Sequence, residues 1–95
     1  MKKVAFEPEA FEQLGEWATE DKRIFKKILA LIKDIQRDAF SGIGKPEALK
    51  YELQGYWSRR ISDEHRLVYK VEEDLLIILS CKYHYQDLRN NYQKS

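Results

Sequence analysis

The spacing of apolar residues changes character along this chain, and each change marks an element. "KKVAFEP" (2–8) alternates and stops at Pro8, which predicts a short first strand. From Pro8 to about Ala18, Phe11, Leu14 and Trp17/Ala18 recur at three- and four-residue intervals, the period of a helix. Pro8 suits its first turn, and Glu9 and Glu12 suit the positive end of its dipole. Thr19 then reads as the N-cap of a second helix, with Glu20 and Asp21 in the first turn. Ile24, Ile28, Leu31, Ile32 and Ile35 make one apolar stripe there, widened by Phe25 and Leu29. Gly42, Gly44 and Pro46 break the helical period in "FSGIGKPEALK" (40–50), a loop between helices and sheet. After Tyr51 come three strand candidates: "YWSRRIS" (56–62), "RLVYKV" (66–71) and "LLIILSCKYHY" (75–85). This order predicts an α+β domain in which two N-terminal helices pack on an antiparallel β-sheet.

Register decides which side chains meet, because strand side chains alternate between faces. A three-residue loop at "EED" (72–74) pairs Val71 with Leu75 and places Leu67, Tyr69, Val71, Leu75, Ile77, Leu79 and Cys81 on the core face. A two-residue turn would set Lys82 and His84 in line with Leu67 and Tyr69, so the longer loop is preferred. With Asp63–His65 as the preceding loop and Ser62 opposite Arg66, the other face gathers Arg60, Arg66, Lys82 and His84, with Glu64 beside them. Such groups also serve as solvated surface paired to nearby carboxylates, and spacing leaves both readings open.

Composition narrows the chemistry. A net charge of +1 argues against a strongly basic nucleic-acid binder. Between residues 43 and 70, however, Lys45, Lys50, Arg59, Arg60, Arg66 and Lys70 outnumber Glu47, Glu52, Asp63 and Glu64. Lys22, Arg23, Lys26, Lys27 and Lys33 read as the solvated face of the second helix, with RNA contact as the alternative. "GIGK" is no phosphate loop, since Ala39 stands where the first glycine belongs and Pro46 replaces the hydroxyl residue. His65, His84 and the lone Cys81 do not make a metal-ligand spacing, so no metal or other cofactor is expected. Cys81 falls on the core face, which disfavours a thiol nucleophile. One cysteine, no signal peptide and no long apolar run make a cytoplasmic, membrane-free protein the expectation.

"KPEALK", "GYWSRRISDEHRLVY" and "CKYHY", with "EDKRIFKKILALIKDI" before them, resemble the YoeB (Txe) family of bacterial toxins in the RelE-like superfamily. The resemblance runs over residues 1–85, which implies a RelE/YoeB-like toxin domain there and a C-terminal tail at 86–95. It implies a compact RelE-like fold, a ribosome-dependent endoribonuclease that cuts mRNA, and a partner antitoxin of the YefM (Axe) type. A homodimer is a further expectation. Carried over residue by residue, it implies Glu47 as general base, Arg66, His84 and Tyr85 as further catalytic residues, and Lys50, Arg60, Glu64 and Lys82 as RNA-binding or supporting groups. Arg60, Arg66 and His84 are also reached by strand parity. Metal-free cleavage would need a base for the 2′-hydroxyl, an acid for the departing 5′-oxygen and cations for the phosphorane. Two features depart from the family: Lys82 replaces an arginine, and the chain continues past "HY". The tail carries only Leu88 and Tyr92 as larger apolar residues and is expected to stay mobile. Competing readings are a RelE-fold toxin acting on DNA gyrase, against which Glu47 and His84 argue, and a non-catalytic RNA- or protein-binding module.

Overall fold

The computed structural model describes residues 1–84; Tyr85 and the 86–95 segment expected as a tail lie outside the described residues. In chain order the elements are β1 (Lys3–Phe6), α1 (Pro8–Glu20), α2 (Lys22–Arg37), β2 (Glu47–Ala48), a 3₁₀ turn (Tyr51–Leu53), β3 (Trp57–Arg60), β4 (Arg66–Glu72) and β5 (Leu75–Ser80). The five strands form one sheet in the order β1-β5-β4-β3-β2. The expected α+β arrangement of two helices on a sheet is what forms, but the sheet is mixed. β2 to β5 are antiparallel, whereas β1 runs parallel to β5, with Lys3 opposite Leu75 and Phe6 opposite Ile78. β5 is therefore flanked on both edges, which suits its unbroken run of Leu and Ile.

One residue ends α1 and starts α2. The Asp21 N–H donates to the Trp17 carbonyl, and its carboxylate accepts from the Arg23 and Ile24 N–H groups at 3.0 and 3.3 Å. Asp21, not Thr19, is thus the cap of α2. Thr19 lies in the last turn of α1, its hydroxyl turned back to the Glu16 carbonyl. Both residue types can cap, and Asp21 is the one whose backbone turns extended, with φ −154°.

Ile28, Leu31, Ile32 and Ile35 of α2 pack with Ala10 and Trp17 of α1 on Leu67, Tyr69, Leu76 and Ile78 of the sheet. Leu29 and Phe11, expected to face inward, are exposed; the Phe11 ring meets the Phe6 ring edge-on. On the other sheet face, Val68 joins Leu49 and Leu53, with Tyr56 and Leu79, in a second, smaller cluster.

The β4–β5 register corrects the expected one. Glu72 pairs with Leu75 across a two-residue turn, and Tyr69 pairs with Ile78. Glu73 accommodates the turn at a left-handed φ of 52°, without the glycine that would have announced it in sequence. In this half of β5 the core face is Leu76 and Ile78, not Leu75 and Ile77. A bulge then shifts the ladder, so that Val68 faces Ser80. Leu79 leaves for the smaller cluster, while Cys81 returns to the main core as expected. The bulge reconciles a short turn with the polar end of the strand.

In the β3–β4 hairpin Arg60 lies opposite Arg66 and Ser58 opposite Val68, two residues along from the expected register. A shift of two preserves parity, so the expected face survives.

Candidate functional site

The sheet face away from the helices carries the candidate groups. Glu47 pairs with Ser58, which lies two positions from Arg60 on the same face of β3. Arg60 and Arg66 are direct cross-strand partners, which places like charges roughly 5 Å apart at the backbone. The Arg66 N–H donates to the Tyr83 carbonyl at 3.0 Å, so His84 follows immediately beside Arg66. Glu47, Arg60 and Arg66 thereby share the sheet face on which Val68 packs with Leu49 and Leu53, and the His84 backbone follows the residue bonded to the Arg66 amide. Arg66 turns its Nη1 back to the carbonyls of Ser62 and His65, at 2.5 and 3.0 Å. Arg60 is half-exposed and reaches the Asp63 carboxylate only at 4.0 Å. Two arginines thus share one cross-strand position, a source of forked donors suited to a phosphate.

The remaining expected residues are more scattered. Lys50 and Glu64 are exposed, Lys50 before the 3₁₀ turn and Glu64 in the β3–β4 loop. Lys82 is directed at α1: its ammonium bonds Glu16 at 2.9 Å and Glu20 at 3.4 Å and lies 5.1 Å over the Trp17 ring. The bond to Glu16 raises the Lys82 pKa, and this lysine acts as a strut between α1 and the end of the sheet. Tyr85 lies outside the described residues. Cys81 is fully buried, and burial pushes its thiol up to about 12, which leaves it inert at neutral pH. No group of three or more His, Cys, Asp or Glu suited to a metal ion occurs among the described residues.

Two residues missed in the sequence position this site. Arg59 is completely buried, and all five of its N–H donors are used. Nε donates to the Tyr69 hydroxyl, Nη1 to Asp34 Oδ2 and the Ile43 carbonyl, and Nη2 to the carbonyls of Asp38 and Ser41. The Tyr69 hydroxyl in turn donates to the Ala39 carbonyl at 2.7 Å. The whole 38–44 loop is wrapped around one guanidinium. Gly42, at φ +126°, is required there: a Cβ would stand 2.1 Å from Asp34 Oδ2. This loop delivers Glu47 to the edge of β3. Strand parity did hold the signal, since Arg59 alternates with Arg60 onto the core face, where a charge demands a partner.

The second is His65. Its Nδ1 accepts the Tyr83 N–H at 2.8 Å, and its ring meets Trp17 edge-on at 4.8 Å. Nothing local in "EHR" indicates which distant amide the imidazole would hold. The segment after β5 is pinned from α1 as well. Gln13 Oε1 accepts from the Cys81 N–H at 2.8 Å, and Trp17 Nε1 donates to the Cys81 carbonyl at 2.9 Å.

The Arg59 bond to Asp34, followed by the Ile43 N–H, holds the Asp34 carboxyl below its ordinary 3.8. Asp38 is lowered too, chiefly by the Ser41 hydroxyl and then by the Phe40 N–H. A carboxyl whose pKa is lowered in the folded state stabilises fully above its unfolded value. That contribution is lost as pH falls below about 4 and through the lowered folded value. Melting temperatures titrated from neutral pH to about pH 2 are expected to drop in that window. Asp34→Asn is expected to start lower and fall less steeply; an equally steep fall would remove Asp34 from the account.

Comparison with known proteins gives the family. The family model described as YoeB-like toxin of bacterial type II toxin–antitoxin system matches residues 6–85. The chain belongs to the YoeB-like toxin family. Toxin YoeB of Escherichia coli (strain K12) is 53% identical over 83 residues, covering 87% of this chain and 99% of that protein. Among solved structures, the toxin of a heterotetrameric YoeB–YefM complex from Staphylococcus aureus superposes with a TM-score of 0.83 at 51% identity, covering 90% of this chain and 99% of the other. A YoeB dimer from the same organism gives 0.83 at 52% identity, covering 88% and 98%. As a YoeB-like toxin, this chain has the RelE-like fold that the quoted motifs implied. No helix among the described residues is long and apolar enough to cross a membrane.

Proposed function

We propose that this YoeB-like toxin is a ribosome-dependent endoribonuclease that cuts mRNA without a metal and so arrests translation in the cytoplasm. The observation that carries the reading is the Arg60–Arg66 cross-strand pair with Glu47 on the same sheet face and with His84 next in sequence to Tyr83, whose carbonyl accepts the Arg66 N–H. Glu47 takes the 2′-hydroxyl proton, and the resulting alkoxide attacks the neighbouring phosphorus. His84 protonates the departing 5′-oxygen. Arg66 and Arg60 stabilise the charge of the phosphorane. Tyr85 orients the phosphate or stacks on a base, and Lys50 and Glu64 line the approach. Lys82 supports the site through α1. The products are a 2′,3′-cyclic phosphate and a 5′-hydroxyl. A YefM-type antitoxin and a second toxin copy are the proposed partners, in keeping with the Staphylococcus aureus complex and dimer.

Programmed ribosomes carrying mRNA with a single 2′-deoxy nucleotide at the cleavage position test the mechanism. The substituted message is expected to remain intact while its all-ribose counterpart is cut. Cleavage of both would exclude 2′-hydroxyl attack.

A further inference from the structure

We propose that His65 is a positioning residue for His84, acting through the backbone of Tyr83; the inference rests on the acid role proposed above. Tyr83 adopts a left-handed φ of 67°, an uncommon conformation for a residue with a side chain. Both of its backbone polar groups are held by consecutive residues of the β3–β4 hairpin. His65 Nδ1 accepts its N–H at 2.8 Å, and the Arg66 N–H donates to its carbonyl at 3.0 Å. The Arg66 half of this pair is backbone and persists under almost any substitution. The His65 half depends on one side chain in one tautomer, because an Nδ1 that accepts carries no proton.

The imidazole is itself oriented. Trp17 meets it edge-on at 4.8 Å with the planes 80° apart, and Tyr83 packs at 5.9 Å on it. Trp17 is fixed in turn by its bond to the Cys81 carbonyl. Its own backbone is tied as well: the His65 carbonyl accepts from the N–H groups of Ile61 and Ser62 and from Arg66 Nη1. The chain of constraint therefore runs from α1 through Trp17 to His65, to the Tyr83 amide, and so to the residue that follows. Without the Nδ1 acceptor, Tyr83 is free to relax towards a right-handed or extended conformation, which swings His84 away from Arg66. Acid–base steps lose about a hundredfold for displacements near 1 Å, so the effect belongs in the chemical step and not in binding.

Two substitutions separate the acceptor from the ring. His65→Phe keeps an aromatic plane against Trp17 and removes the acceptor. His65→Asn sacrifices the ring but places its amide oxygen close to where Nδ1 stands. With the full chain and programmed ribosomes, His65→Phe is expected to lower the maximal cleavage rate by about 10- to 100-fold while half-saturation stays within about threefold. His65→Asn is expected to recover most of the rate. In the ¹⁵N-labelled wild-type protein, long-range ¹H–¹⁵N spectra are expected to show His65 with a bare Nδ1 and a protonated Nε2. The Tyr83 amide is expected to exchange at least about tenfold faster in His65→Phe, with β4 amides unchanged. An Nδ1–H tautomer overturns the proposal, as does an unaltered Tyr83 exchange rate. A His65→Phe protein that cleaves normally, or a folded His65→Asn as slow as His65→Phe, overturns it too. If His65→Phe does not fold, the wild-type tautomer and the Asn variant still decide. Wild-type protein that leaves mRNA whole would instead defeat the proposed function, and the tautomer and exchange results would still judge the His65–Tyr83 contact.

Discussion

Glu47→Ala and His84→Ala proteins are each expected to cut ribosome-bound mRNA about two to four orders of magnitude more slowly than wild type. Removing the base leaves the 2′-hydroxyl a poor nucleophile, and removing the acid leaves the 5′-oxygen a poor leaving group. The two losses are not expected to add fully in the double variant, because both groups serve the same cleavage reaction. Folding is expected to survive in each case. Glu47 sits exposed on a two-residue edge strand, and His84 lies beyond the last strand, outside both apolar clusters. Circular dichroism and the melting temperature check the fold, and single-turnover cleavage checks the chemistry. A folded variant with near-normal cleavage would remove that residue from the mechanism.

The largest stability effect is expected at Arg59. Arg59→Leu fills similar space but strands the carbonyls of Asp38, Ser41 and Ile43 and leaves the Asp34 carboxylate only Arg37 and the Ile43 N–H among the partners described. Breaking such a buried set from one side costs about 3–5 kcal/mol. In a domain of this size that corresponds to a melting temperature more than about 10 °C lower. Arg59→Lys is expected to fare little better, since three donors on one nitrogen cannot reach acceptors spread around a planar fork. Replacing Asp34 as well, in Asp34→Leu/Arg59→Leu, is not expected to rescue the protein, because the loop carbonyls remain unpaired. A single variant melting within about 3 °C of wild type would show that the 38–44 loop is held by something else. The surviving folded fraction is also expected to cleave poorly, because this loop leads into Glu47.

Much of this architecture was legible locally. The helical periods of α1 and α2, the loop at Gly42–Pro46 and the three later strands follow from apolar spacing and from breakers, which act over a few residues. The shared face of Ser58, Arg60, Arg66 and Val68 was legible too, because an error of two residues in a hairpin leaves parity intact. The errors fell where local signals were degenerate. Leu75 to Leu79 are all apolar, so nothing within β5 marks its inner face, and Glu73 takes a turn conformation usually signalled by glycine. Thr19 and Asp21 are both competent caps, and only the path of the backbone chose between them.

What the sequence determined by itself was the element order, the family through its motifs, and the shared face of Arg60 and Arg66 in the β3–β4 hairpin. Tertiary structure alone decided how those groups are held. It set β1 parallel to β5, placed a bulge between the turn and the polar end of the strand, and sent Lys82 to Glu16 and Glu20. It also buried Arg59 in the 38–44 loop and put the His65 imidazole against the Tyr83 amide. The physical reason is range. Periodicity, capping and turn chemistry act between residues a few positions apart, whereas a buried guanidinium or an imidazole acceptor finds its partners only after segments 16 to 25 residues distant have packed together.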